Sequence, residues 1–426
     1  MISERLLTGA VRLANGRYTR IIPYEKGRYP KSKGGHKYML YAHVPFCESL
    51  CPYCSFNRYP FHEEKARSYF ECLRKEMGML SKLGYDFDSM YIGGGTPTIL
   101  PDELASVIKL AKDLFSVKDV STETNPNHLD QEHLDPLAGL VDRMSVGVQS
   151  FDDDLLRRMQ RYHKYGSGRE TAEGIARVSD SGIFNTLNVD MIFNFPGQTR
   201  EMLKRDLNTI RSCGCSQATF YPLMAAPSVQ EEIKKTLGKV DYKKEQEFYE
   251  LICHGLTGAK GSDFDFGSVW TFNRKNDSES SPLIDEYVVD HEEYPAIGAG
   301  SMSFLNRRYY VNAFSLEGYE SRIRSGKMGI WGRVRFNKRD HMRYRLLMQL
   351  FGMRLDKKRW REDFGCSVER GLPAEYFFLK TNGAFERDND EELTLSKKGR
   401  YLVLVMMREF FIGVNTVRDK ARQSGC

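Results

Sequence analysis

The stretch YAHVPFCESLCPYCSFNRYPF, residues 41–61, places Cys47, Cys51 and Cys54 in one short segment. A tetrahedral structural zinc site takes four protein ligands, and a disulfide takes two thiols. Three closely spaced cysteines instead suggest a centre with one coordination position left open for chemistry. Iron–sulfur clusters are held by cysteine thiolates. The CxxxCxxC spacing lets one loop reach three corners of a four-iron cube, so that one iron stays free to bind a ligand. A zinc ion completed by His43 is the alternative, and a weaker one, because zinc ligands more often arrive as CxxC pairs.

Working outward, the cysteines follow the first of six β-rich runs: YMLYAHV, DSMYI, VSTET, RMSVGVQ, TLNVDMIF and ATFYPLM. Helical patterns separate them, over 62–83, 101–115, 152–160 with 168–181, and 199–213. Strand alternating with helix predicts a parallel sheet covered by helices. Six units predict an α/β fold, a partial (β/α)6 barrel. The runs end in the cysteine cluster, in GGGTP (93–97), at Glu123, at Gln149, near Asp190 and in FYPLM. In a β/α barrel such strand ends converge on one mouth, where active sites are built.

The chain has 426 residues, too many for one small core. Residues 1–36 read as a basic N-terminal extension, 37–305 as the barrel and 306–426 as a smaller helix-rich C-terminal domain. In the last part, 339–356 reads as a helix, and 392–411 as a short strand, a turn and another helix. The polar stretch 258–283 reads as a linker or a loop over the mouth. A net charge of +6 is weak evidence for an anionic partner, and no nucleic-acid partner is expected. Nine scattered cysteines do not form a secreted disulfide framework. They imply a reducing, cytoplasmic setting with the isolated cysteines buried. The N-terminus shows no signal peptide. The apolar stretch 401–414 carries Arg408 and Glu409 and falls short of the roughly 20 residues of a membrane span. A buried core helix is the expectation, with a lining for a greasy substrate channel as the alternative.

CESLCPYC after the first strand and GGGTP after the second resemble the radical SAM superfamily. With YAHVPFC, ETNPNHL, SVGVQSF and NVDMIFNFPGQT in this order, the chain is similar to the HemN/HemW-like branch. The resemblance implies a [4Fe-4S] cluster on Cys47, Cys51 and Cys54, with S-adenosylmethionine (SAM) on the open iron. Reductive cleavage of SAM would then give a 5′-deoxyadenosyl radical that abstracts a hydrogen atom. Like this branch, the chain would hold two SAM molecules. By motif position Tyr41, Gly94 and Glu123 would serve the first. Tyr53, Gly95, Thr96, Gln149, Arg161 and Asp190 would serve the second, with Met302 a further cofactor contact. The chemistry suits these roles, since a carboxylate pairs with guanidinium and glycines allow close backbone approach. Cys47, Cys51, Cys54, Glu123, Arg161 and Asp190 are the candidate catalytic residues.

Within the branch, the oxygen-independent coproporphyrinogen dehydrogenases carry a further cysteine where this chain has Phe56. HemW-type haem chaperones carry an HNxxYW motif where it has Leu283, Ile284 and Val288. CPYCSFNRYPF, NVDMIFNFPGQT, TFYPLM and MMREFFIGVN look most like class C radical SAM menaquinone methyltransferases. An anaerobic haem-degrading methyltransferase and a haem chaperone are the alternatives. The resemblance implies an isoprenoid quinone substrate and a flavodoxin- or ferredoxin-type electron donor. Peripheral contact with the inner membrane face, through Arg5, Arg12, Arg17, Arg20, Lys26, Arg28, Lys31 and Lys33, is expected too. Ring methylation releases a proton, and His163, Tyr221 and Asp290 are candidate bases.

Overall fold

The computed structural model describes residues 7–9, 11–12, 21–258, 263–275, 289 and 291–423. Arg5, Arg17, Arg20, Asp290 and the stretch with Leu283, Ile284 and Val288 lie outside the described residues. The six expected strands form: β1 (Tyr38–Val44), β2 (Phe87–Gly94), β3 (Asp119–Thr124), β4 (Arg143–Gln149), β5 (Thr186–Phe193) and β6 (Gln217–Pro222). They pair in parallel, in chain order. β1 is buried along almost its whole length, as a parallel strand covered on both faces must be.

The helices between them follow their local signals. α1 (Glu63–Lys82) opens on two glutamates and closes on a lysine, matching its dipole. It buries Ala66, Tyr69, Phe70, Leu73, Met77 and Leu80 on one stripe. α2 spans Pro101–Leu114 and α3 Asp153–Arg158. α4 (Gly168–Ser181) starts in a Ser167/Glu170 capping box and ends at Gly182 with φ +62°. α5 (Arg200–Ser212) is capped by Thr199.

The sheet is wider than six strands. β7 (Phe264–Phe266) and β8 (Thr271–Arg274) extend it antiparallel beyond β6, and β9 (Ala296–Ile297) pairs in parallel with β1. The described part of 258–283 is therefore sheet and not linker. Phe264, Val269, Trp270 and Phe272 bury completely there, a pull the surrounding polar residues mask in the sequence.

The last third contains more sheet than its helical pattern suggested. β10 (Met302–Leu305) and β11 (Arg308–Asn312) form a hairpin that turns at Asn306 and Arg307, so one sheet spans residue 305. β12 (Ile330–Arg335) pairs with β11 and with Ile22–Pro23, so part of the supposed extension is built into this sheet. α6 (Lys338–Phe351) is shorter than the helix expected over 339–356. Met353 turns to φ +73°, and Arg354–Asp356 becomes a strand.

α7 (Lys397–Gln423) outruns the apolar stretch 401–414. Its Arg408 and Glu409 are fully buried and ion-paired within the protein. Arg408 meets Glu245 at 2.5 Å and Glu409 at 3.0 Å, and Arg12 reaches Glu409 at 2.6 Å. Among the described residues no helix is long and apolar enough to cross a membrane. Arg12 and Lys33, each about half exposed, are ion-paired to the fold, Lys33 with Glu293 at 2.8 Å, so neither is a loose basic tail.

Candidate active site

The strand ends and the last helix enclose a cavity of about 350 Å³. The cysteine loop enters from β1. Its path is fixed by backbone bonds from Tyr59 to Pro45 (2.6 Å) and from Phe61 to Cys47 (3.0 Å). Arg58 donates to the carbonyls of Cys51 (2.6 Å) and Cys54 (2.9 Å), holding the loop's curl. All three thiols line the cavity. Burial, then the neighbouring Cys54, pushes the Cys47 thiol up to about 12, and burial also raises Cys54. Metal coordination favours the thiolate and would reverse this.

His43 is no zinc ligand in this arrangement. Its Nδ1 faces the Tyr41 hydroxyl at 2.9 Å and its Nε2 the Asn57 carbonyl at 2.8 Å. Burial lowers its pKa to about 4, so the ring is neutral. Among the described residues no His, Cys, Asp or Glu trio converges on a single metal ion, as a zinc site requires and a cluster with one thiolate per iron does not.

The glycine turn after β2 serves close approach. Gly94 has φ +122°, and a Cβ there would meet the His43 ring at 2.4 Å. A Cβ on Gly95 would stand 2.5 Å from the Phe46 carbonyl oxygen. The turn thus packs directly on the strand that feeds Cys47, with Gly95 N and Thr96 N both donating at 2.8 Å to Val44 and Phe46 carbonyls.

Two polar stations flank the cysteines. At the first, Glu123 accepts from the Tyr91 hydroxyl and the Gly94 amide, each at 2.9 Å, and Tyr91 stacks on Tyr41. At the second, Arg161 is buried. It donates to Cys51 Sγ (3.4 Å), to Asn125 Oδ1 (3.0 Å) and to the Gly147 carbonyl. Gln149 lies beside it at a β-bulge with φ +75°. Asp190 accepts from Ser145 and Asn188, both at 2.7 Å. Burial opposes the Arg161 charge, but Tyr53, Cys51 and Tyr165 raise its pKa and keep it protonated.

Most sequence-predicted residues meet here. Tyr41, Tyr53, Gly94, Gly95, Glu123, Gln149, Arg161, Asp190, Tyr221 and Met302 all line the cavity. Thr96 does not: it is buried behind the wall and accepts from Asn125 at 2.7 Å. His163 is solvent-exposed and does not line the cavity, which removes it as a base. Sequence reasoning missed Asn125, which bridges Thr96 and Arg161, although it directly follows Glu123 and Thr124 in ETNP. It also missed Asn57, which donates to the Ala299 and Phe314 carbonyls, and Asn415, which donates to Ser55 at 2.7 Å. These contacts tie the cysteine loop to distant segments, and no local pattern announces them.

The sequence model of the radical SAM superfamily matches residues 41–210. The chain is 27% identical over 383 residues to heme chaperone HemW of Bacillus subtilis, covering 85% of this chain and 96% of that protein. It is 30% identical over 282 residues to heme chaperone HemW of Lactococcus lactis, covering 64% and 71%. It is 25% identical over 397 residues to oxygen-independent coproporphyrinogen III oxidase of Helicobacter pylori, covering 87% and 85%. The solved structure of coproporphyrinogen III oxidase (HemN) from Escherichia coli shares the fold, with TM-score 0.72 at 20% identity over 94% of this chain and 93% of that one. The chain belongs to the radical SAM superfamily, in its HemN/HemW-like branch.

Its cofactors are accordingly a [4Fe-4S] cluster and SAM, and the residues present fit both. Three cysteines on one curled loop suit three irons. Arg161 is a buried cation that no carboxylate meets among the described residues, and its Nε has no hydrogen-bond partner. A buried charge left so is costly, and an amino-acid carboxylate would satisfy it.

Proposed function

We propose that the protein is a class C radical SAM methyltransferase that C-methylates the naphthoquinone ring of menaquinone, using two SAM molecules. The observation that carries this reading is that one cavity holds, with the cysteines, two polar stations: Glu123 with Gly94 and Tyr91, and Arg161 with Gly147 and Asn125. One amino-acid cofactor needs an acceptor for its ammonium and a donor for its carboxylate. Glu123 closes β3, while Arg161 precedes the short helix Tyr162–Tyr165 and bonds to Gly147, whose strand neighbour is Asp190. Acceptor and donor thus occur together again at the second station, which suits a second such molecule. Cys47, Cys51 and Cys54 would hold the cluster. Tyr41, Gly94 and Glu123 would hold the SAM beside it. Tyr53, Gly95, Gln149, Arg161 and Asp190 would hold the second, with Thr96 acting through Asn125. When bound, the cluster and SAM supply one-electron chemistry at carbon, which an unactivated ring carbon requires.

The chain's own residues do the rest. Ile192, Leu223, Met224, Phe410 and Phe411 form an apolar wall that keeps water from the reacting ring. Tyr221, at the end of β6, is the candidate base that lines the cavity and would take the departing ring proton. An electron donor of flavodoxin or ferredoxin type would serve the cluster. Contact with the inner membrane face would bring the enzyme to its substrate.

A second reading is a HemW-like haem chaperone, favoured by the near-complete coverage of the Bacillus relative. Deleting the gene in its host and extracting the quinones separates the two. Loss of methylmenaquinone with normal haem use supports the methyltransferase. Unchanged methylmenaquinone with failed haem delivery replaces it with the chaperone.

A further inference from the structure

A second cavity, of about 40 Å³, adjoins the first. Met302, Tyr309, Phe410 and Val414 belong to the walls of both, so only these side chains part the small cavity, called here the branch, from the large one. It runs between the β10–β11–β12 sheet and α7, toward Val311, Val417 and Ile21. No charged side chain among the described residues lines it, and the one hydroxyl on its wall, Tyr309, meets Tyr294 at 3.3 Å. Water there would find few partners.

α7 keeps this space open at a cost. Gly413 faces the branch from the helix interior. A glycine there costs about 1 kcal/mol against alanine, and an unfilled apolar gap costs more. A leucine there would occupy the branch. Ile21, on the wall, is followed by Ile22, whose side chain is 62% exposed. The branch therefore ends against the edge of that sheet, where Ile22–Pro23 pairs with β12.

We propose that this branch is the subsite for a flexible hydrocarbon tail on the substrate. The substrate's ring sits in the large cavity and its tail leaves past Phe410, Gly413 and Val417. This rests on the quinone reading and specifies it: tail contacts, and not the ring alone, select the substrate. A planar macrocycle bearing carboxylates finds nothing to recognise in the branch.

The test is anaerobic binding, followed by quenching of intrinsic tryptophan fluorescence, of two probes: menaquinone in detergent micelles and the tailless menadione. Wild-type protein should bind menaquinone more tightly. Gly413→Leu should weaken menaquinone about tenfold, as loss of two buried methylenes would, and leave menadione unchanged. SAM cleavage should be unaltered, and Gly413→Leu should unfold at no lower temperature than wild type. Val417→Phe, which narrows the same passage from another turn, should act likewise. Equal affinity for both probes, or equal weakening of both by the variants, overturns the tail subsite and leaves the quinone reading standing. If wild-type protein binds neither probe while still cleaving SAM, both fall.

Discussion

The two walls of the reaction cavity are built on different terms. On the strand-end wall each polar group is pinned by the backbone or by another polar group: Glu123 by Gly94 and Tyr91, Asp190 by Ser145 and Asn188, Arg161 by Gly147 and Asn125. On the C-terminal wall Phe410, Phe411, Val414 and Tyr309 are placed by packing alone or by one weak bond. Chemistry that tolerates little displacement sits on the parallel sheet. On the proposed reading, substrate fit would sit on elements added later in the chain, where an apolar surface can be reshaped without disturbing the cofactors.

The largest expected effect is on the cysteine loop. Anaerobically reconstituted protein should carry about four irons. Cys47→Ala, Cys51→Ala or Cys54→Ala should each abolish SAM cleavage, while Cys213→Ala should not. Iron analysis and quantified 5′-deoxyadenosine decide it, and an active, iron-free protein would break the comparison at its root.

Next come the two stations. Glu123→Ala should impair reductive cleavage. Arg161→Ala or Asp190→Ala should spare much of the cleavage and stop methyl transfer. Losing a buried charged partner should weaken the second SAM by about 100-fold. Equilibrium SAM binding before and after the change gives the stoichiometry, and an Arg161→Ala protein that still binds two molecules and methylates would merge the stations into one.

A smaller effect tests the tie between the walls. Asn415→Ala leaves the Ser55 hydroxyl without its 2.7 Å donor, at a cost of about 1–3 kcal/mol. Denaturant unfolding should show that loss, with SAM cleavage retained.

The last is a pH effect at the turn after β4. Asp206 accepts from Phe151 N at 2.8 Å and Ser150 Oγ at 2.9 Å, fixing the turn after Gln149. Burial raises its pKa from 3.8 to about 7. Between these values the folded protein binds the proton and the unfolded chain does not, so this group's contribution to stability falls as pH rises from about 4 to 7. Asp206→Asn should remove that slope from a series of thermal melts, and an unchanged slope would assign it elsewhere.

The strand-end wall was legible because its signals are local. β1 through β6 are compact β-rich runs, each closed by a polar or glycine-rich tip, and the cysteine spacing is itself a ligand pattern. The C-terminal wall was not. β7 and β8 hide their apolar residues among polar neighbours, and β10–β12 form through pairings with each other and with Ile22–Pro23, far away in sequence. His163 looked usable because histidine titrates near neutral pH, but only the fold reveals that it faces solvent. Arg408 and Glu409 interrupt the apolar stretch because Glu245 and Arg12 come to meet them, which no window around residue 408 discloses.

The most direct test of the central claim is anaerobic incubation of the reconstituted protein with SAM, a low-potential reductant and menaquinone, followed by mass spectrometry of the extracted quinone. The account predicts a product heavier by one methyl group, formed only when all three cluster cysteines and Arg161 are present. SAM cleavage with unmodified quinone, together with stoichiometric haem binding and a Soret band, would contradict it.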